Sequence, residues 1–168
     1  NSLKMADKII VFLNNNNDIA LVSDAGTPCI SDPGYRLINK AHLSKIEVVS
    51  IPGASSVHAA LSISGLPSDA YFFQGFLPKK KGRKTKFNFL KNLGCSVIIF
   101  ESPKRIKKTL NDIYVNMGNR AISICKEISK MYEKVYFDEL ENIIEVFSEF
   151  NPKGEYVIIV AKEGYKCK

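Results

Sequence analysis

Histidine is close to missing from this chain of 168 residues, which carries only His42 and His58. That scarcity excludes a histidine-rich metal centre, and no metal site is expected. Cysteine is sparse as well. Cys29, Cys95, Cys125 and Cys167 lie far apart and match neither a zinc spacing nor a disulfide framework, so they read as free thiols of a reducing cytosol. No apolar run approaches the ~20 residues of a membrane span, and no signal peptide is visible. Glycine and proline are low, and 45% hydrophobic with 24% charged residues is a globular composition. Acidic residues are outnumbered, leaving a net charge of +7 that favours a polyanionic partner without requiring one. The length suits one ordinary domain or two small ones, able to bury roughly two-thirds of the chain's surface. The first residue is Asn1 rather than methionine, so the sequence is expected to begin inside a longer polypeptide or after processing.

What is present is an alternation of apolar runs and amphipathic stretches. Residues 3–14 predict a helix, with Leu3, Ala6, Ile10 and Leu13 at helical spacing and an Asn run to end it. Residues 19–23 and 46–51 are continuous apolar runs of the kind buried on both faces of a parallel sheet. Helices are predicted over 33–43, with Leu37, Ile38 and Ala41 inward, and over 55–64. This β-α-β-α order implies a parallel sheet with helices on its faces. Character changes after Gly65-Leu66-Pro67, and a soft domain boundary is placed near 67–73. Beyond it, strands are predicted at 71–76, 97–101, 121–126, 134–137 and 156–161, and helices at 85–93, 102–117 and 140–150. Ser102 is read as the N-cap of the middle helix, with Pro103 at its first turn.

Two polar turns end the first two apolar runs. In an open α/β sheet, the crevice outside the carboxyl ends of the strands is where ligands sit. The first turn, Asp24-Ala25-Gly26-Thr27-Pro28, offers a carboxylate, a hydroxyl and a glycine that permits close backbone approach. The second, Pro52-Gly53-Ala54-Ser55-Ser56, opens a helix whose free N–H groups can take a carboxylate or phosphate. Ordinary βα turns and helix caps would explain the same residues; together the turns read as two walls of one pocket. Neither carries the Lys-Ser/Thr signature of a triphosphate loop or the spaced glycines of a dinucleotide fingerprint. A ligand with a ribose, an amino-acid end and a positive centre fits better.

Lys79, Lys80, Lys81, Arg83, Lys84 and Lys86 pack six cations into eight positions. Such density self-repels unless a polyanion relieves it, so the loop reads either as an RNA-phosphate footprint or as a solvated, flexible segment. Lys104, Arg105, Lys107 and Lys108 add a basic helix face over an apolar stripe of Ile106, Leu110 and Ile113. Glu101 ends one predicted strand and Glu127 follows another, where either can face an inter-domain cleft as a base or pair with a neighbouring lysine. His58 reads as a core or interface histidine. Phe72, Phe73 and Phe76 read as core, with base stacking the lesser alternative.

These segments, in order, resemble a known family. They are Val22-Ser23-Asp24-Ala25-Gly26-Thr27-Pro28, Ile30-Ser31-Asp32-Pro33-Gly34-Tyr35, Ile51-Pro52-Gly53-Ala54-Ser55, Ser64-Gly65-Leu66-Pro67, Gly75-Phe76-Leu77-Pro78, Glu101-Ser102-Pro103 and Lys153-Gly154-Glu155. The chain looks like the bacterial small-subunit ribosomal RNA cytidine 2′-O-methyltransferases, within the tetrapyrrole methylase superfamily. The resemblance implies an α/β, tetrapyrrole-methylase-like fold. Residues 1–70 would be part of a parallel-sheet N-terminal domain, and 71–168 a mixed-sheet α/β C-terminal domain. It implies S-adenosylmethionine in the cleft between the domains, with Asp24, Gly26, Thr27, Ser55, Ser56 and Glu101 lining it. The remaining implications are a small-subunit ribosomal RNA partner, a homodimer, a cytoplasmic location and no metal. Ala54, Lys104 and the triplet Asp138-Glu139-Leu140 depart from the family's pattern. The family's N-terminal third, with its first strand and glycine turn, has no counterpart here, so the chain taken alone is expected to bind cofactor weakly and not to turn over. The base that activates the ribose hydroxyl is not identified. A methylase acting on a porphyrin-type substrate, or a non-catalytic RNA-binding module, remains the alternative.

Overall fold

A computed structural model describes residues 2–149 and 151–166, without the side chains of Ser2 and Leu3. The expectations for Cys167, for Phe150 as a helix end and for the Leu3 side chain therefore lie outside the described residues. The chain divides into two compact units between Ser55 and Ser56. The sequence suggested a boundary about a dozen residues later; the helix that follows Ser55 goes with the second unit because it packs on that unit's last strand.

The first unit holds α1 (Ser2–Leu13) and α2 (Tyr35–Leu43). They pack through small buried residues, Ala6 and Ala41, and Lys40 pairs with Asp7 beside that contact. Helix α2 starts two residues later than the sequence implied, because Gly34 sits at φ 142° and cannot be its first turn. The larger correction concerns 19–23 and 46–51. Neither run forms a strand among the described residues, and Val22 and Ile51 are 79% and 78% exposed. A strand exists by pairing, since its backbone donors and acceptors must find a neighbour. No segment of the described chain offers these runs that neighbour, so the expected parallel sheet of the N-terminal domain is not formed here.

The second unit contains α3 (Ser56–Ile63), β1 (Tyr71–Phe76), α4 (Arg83–Leu90), β2 (Ser96–Glu101), α5 (Ile106–Met117), β3 (Ala121–Lys126), β4 (Lys134–Glu139), α6 (Leu140–Ser148) and β5 (Tyr156–Val160). The strands form one mixed sheet in the order β1-β2-β5-β3-β4, with β1 parallel to β2 and every other pair antiparallel. Alternation along the strands sorts the core into two layers. Val97 and Ile99, Ile122 and Ile124, and Tyr156, Ile158 and Val160 meet α4, α5 and α6 on one face. Ile98, Ala121, Cys125, Val157 and Ile159 meet α3 on the other. Strand β5 is buried throughout, which accounts for its unbroken apolar sequence.

Two more helix starts differ from expectation by two residues or more. Ser102 does not cap α5 with its hydroxyl; its carbonyl accepts from the amides of Arg105 and Ile106 (3.0 and 3.1 Å), and the helix opens at Ile106. Helix α4 opens at Arg83, two residues earlier than predicted, which removes half of the supposed basic loop into a helix.

Ile158 lies at the centre of the central strand with no exposed surface. Replacing Ile158 by alanine is expected to cost about 2–5 kcal/mol in urea unfolding; a loss below 0.5 kcal/mol would contradict this placement of the core.

Candidate functional site

In the first unit the two polar turns meet. The Thr27 amide donates to the carbonyl of Ala54 at 2.9 Å, and the Thr27 hydroxyl donates to the same oxygen at 3.1 Å. Gly26 has φ 74°, and a Cβ there would lie 3.2 Å from that carbonyl. Glycine is therefore favoured by conformation, and a side chain there would sit tightly against the carbonyl. The Ser23 hydroxyl donates to the carbonyls of Ala25 and Gly26 (3.1 and 3.0 Å) and holds the turn's shape from within. Asp24 is exposed, and among the described residues no hydrogen bond or ion pair engages its carboxylate. Ser55 is half-buried at the end of the second turn, and Ser56 is exposed as the first residue of α3. Asp24, Gly26, Thr27 and Ser55 thus share one unit, while Ser56 and Glu101 belong to the other.

In the second unit, strand directions decide which loops lie together. β1 is parallel to β2, while β5 is antiparallel to both β2 and β3, so β1, β2 and β3 all run the same way. Their carboxyl ends share one edge of the sheet with the amino ends of β4 and β5. Glu101 ends β2 there, its side chain wholly buried. Its oxygens accept from the Ser102 amide (2.8 Å) and the Thr109 hydroxyl (2.6 Å), with the Arg105 guanidinium at 3.3 Å. Among the described residues, every partner of this carboxylate is a local donor that fixes the turn into α5.

Arg83 corrects the RNA footprint. It is buried, and its guanidinium donates to Asp112 (2.7 Å), the Pro78 carbonyl (3.0 Å) and the Thr109 hydroxyl (2.8 Å). Those donors are not available to a phosphate. Arg105 likewise donates to the Leu77 carbonyl at 2.7 Å, so both arginines grip the base of the segment that carries Lys79, Lys80 and Lys81. These three lysines and Lys84 are exposed, whereas Lys86 lies over the Phe89 ring at 5.3 Å. Lys107 and Lys108 are engaged by the Ser148 carbonyl and Asp112. A signal for Arg83 was present in the sequence: Arg83, Phe87 and Leu90 stand at i, i+4 and i+7, the buried face of α4.

Glu127, at the end of β3, forms the lysine pair rather than a base. Its carboxylate accepts from the Glu155 amide (2.7 Å) and Lys130 (3.1 Å), and these contacts hold its pKa below the usual carboxylate range. The clasp is therefore complete above the ordinary carboxylate pKa and loosens only as pH falls through the lowered one. Burial pushes the Cys125 thiol up to about 11, so it stays protonated and is no nucleophile near neutral pH. His58 is not a core histidine: it is exposed, with its ring 3.1 Å from the Tyr71 hydroxyl. Among the described residues no group of three or more His, Cys, Asp or Glu could hold a metal, and no helix is long and apolar enough to cross a membrane.

The family model described as Tetrapyrrole (Corrin/Porphyrin) Methylases matches residues 3–144, and the chain belongs to this family. Among curated relatives, the chain is 42% identical to "Ribosomal RNA small subunit methyltransferase I" of Halalkalibacterium halodurans, over 100% of its own length and 58% of that protein's. It is 35% identical to the protein of the same name from Thermotoga maritima, over 96% and 72% of the two chains. The chain thus spans little more than half the length of the first of these relatives. Among solved structures, the methyltransferase CobJ matches with a TM-score of 0.70 at 13% identity, over 97% of this chain and 72% of that one. Uroporphyrin-III C-methyl transferase from Thermus thermophilus, complexed with S-adenyl homocysteine, matches with a TM-score of 0.59 at 14% identity, over 93% and 71%. These structures share the fold.

Arg83→Met removes the guanidinium that joins α4 to Thr109, Asp112 and Pro78, and is expected to cost about 3 kcal/mol in urea unfolding. Lys84→Met, one residue away and exposed, is expected to change stability by less than about 0.5 kcal/mol. Equal effects would contradict the separate roles assigned to these neighbours.

Proposed function

We infer that this chain forms part of an S-adenosylmethionine-dependent methyltransferase acting on small-subunit ribosomal RNA, with the ribose 2′-oxygen of a cytidine as acceptor. The observation that carries the cofactor assignment is the double hydrogen bond from Thr27 to the Ala54 carbonyl, which brings the turns 24–28 and 52–55 together. The residues there suit such a ligand. Gly26 and Gly53 leave backbone accessible, and the unengaged Asp24 carboxylate can take ribose hydroxyls or offset positive charge. Bound S-adenosylmethionine would supply a methyl group on a positively charged sulfur. Thr27, by fixing the turn, would orient the ligand, and orientation supplies much of the rate in a transfer that needs an in-line approach.

The RNA assignment rests on the names of the relatives and on the exposed Lys79, Lys80, Lys81 and Lys84. Glu101 and Glu127 are held by structural donors, so neither is assigned as the base that assists the hydroxyl. With ribosomal RNA as substrate, the activity is cytoplasmic, and the family resemblance supports a homodimer as the working form. A porphyrin-type acceptor is the second possibility, favoured by the description of the matching family.

Incubating the full-length protein with methyl-labelled S-adenosylmethionine and unmodified small ribosomal subunits tests the proposal. Label is expected in the RNA, at a linkage that resists alkali because its 2′-oxygen can no longer attack the phosphate. Label on a base, or transfer only to a porphyrin-type acceptor, would refute it.

A further inference from the structure

The sheet edge that carries Lys79, Lys80 and Lys81 also carries an exposed tip with no assigned role. After β3 the chain runs through residues 127–133 before returning as β4. Met131 and Tyr132 stand at its apex, 89% and 71% exposed, and among the described residues no hydrogen bond, ion pair or ring contact engages Tyr132. Met131 and Tyr132 together present an apolar face to solvent.

The tip is built to keep its shape. Glu127 and Ser129 both lie in the left-handed region, at φ 51° and 63°. Such conformations persist in non-glycine residues only where the surroundings enforce them. Here the Glu127 amide donates to the Glu155 carbonyl (2.9 Å), and the Glu155 amide returns a bond to the Glu127 carboxylate (2.7 Å). Lys130 bridges Glu127 and Glu155 (3.1 and 2.8 Å), and the amides of Lys130 and Glu133 close successive turns at 3.0 Å. Gly154 is part of the clasp: a Cβ there would lie 2.5 Å from the Glu127 side chain. An exposed aromatic on a fixed loop loses little freedom when something stacks on it.

Charge indicates what that something is. The segments that meet at this edge, 77–82, 101–105, 126–134 and 151–155, hold nine Lys or Arg against four Glu. β1 and β3 are three strand intervals apart, roughly 14 Å at the usual spacing. That is a distance a few nucleotides of single-stranded RNA can span. Lysines at one end and a rigid aromatic at the other are the two elements of single-strand recognition, phosphate attraction and base stacking.

Building on the RNA assignment above, we propose that Tyr132, flanked by Met131, is a stacking platform for an unpaired base of the RNA whose phosphates lie on Lys79, Lys80 and Lys81. The RNA strand then follows the carboxyl edge of the sheet from β1 to β3.

The 168 residues contain no tryptophan, so Tyr132→Trp in the full-length protein, with any tryptophan outside them replaced by phenylalanine, places a reporter at the tip. A short single-stranded oligoribonucleotide of adenosine and cytidine is expected to quench its emission. Inorganic polyphosphate of similar charge, which has no bases, is expected to bind without quenching. Tyr132→Ala should weaken oligoribonucleotide binding roughly 5- to 150-fold, the effect of one lost base stack, while Tyr132→Phe should retain it. The proposal is overturned if quenching is absent or equal with both polyanions, if Tyr132→Ala binds as the parent does, or if emission changes with protein concentration alone, which marks a contact between copies. The triple replacement of Lys79, Lys80 and Lys81 by alanine separates the two levels. If it abolishes salt-dependent RNA binding while Tyr132→Ala does nothing, RNA recognition stands and the platform falls. If the parent protein binds no RNA, both fall.

Discussion

The second unit depends on one buried carboxylate. Glu101 ends β2 with its side chain sealed from solvent, and a charge so placed is tolerated only with a full set of donors. Ser102, Thr109 and Arg105 supply them, and Thr109 passes the connection on to Arg83. Through Leu77 and Pro78 the two arginines grip the strand exit just before the exposed lysines. The lysines therefore project from an anchored base rather than from the flexible loop that their sequence suggests. The same edge gains its second fixed point from Glu127, Lys130 and Glu155. Carboxylates that resemble candidate bases in the sequence are, in the structure, what holds the loops.

The first unit solves a different problem with fewer contacts. It lacks a paired sheet among its described residues, yet the turns 24–28 and 52–55 are brought together by Thr27 and Ala54. Glycine at 26 suits that contact, since its φ is left-handed and a Cβ would sit tightly against the accepting carbonyl. Asp24 is left open to solvent beside it. Short-range geometry of this kind survives without the strands that precede each turn, which is why the site is recognisable while its sheet is not.

Legibility in the sequence followed the range of the interactions. Strands β1 and β3 fall where alternation and flanking turns put them, because their cross-strand partners lie within the chain. The runs 19–23 and 46–51 have strand composition, but pairing is a property of two segments, and composition reports only one. The meeting of the two turns was readable, since they end successive apolar runs. Arg83 was misread with its lysine neighbours because charge density outweighed its helical phase with Phe87 and Leu90. The exposure of Tyr132 could not be read at all. It follows from left-handed residues at 127 and 129, the first of them held by contacts with 154 and 155, more than twenty residues on.

The central claim is that the turns joined by Thr27 and Ala54 hold S-adenosylmethionine, with Asp24 as the charged contact. Calorimetric titration of the cofactor into the full-length protein and its Asp24→Ala variant tests it most directly. Saturable binding by the parent, weakened at least about tenfold in the variant, about 1.4 kcal/mol, is the result expected. Equal affinity in the two proteins would remove Asp24 from the site, and no binding by the parent would contradict the assignment of these turns to the cofactor.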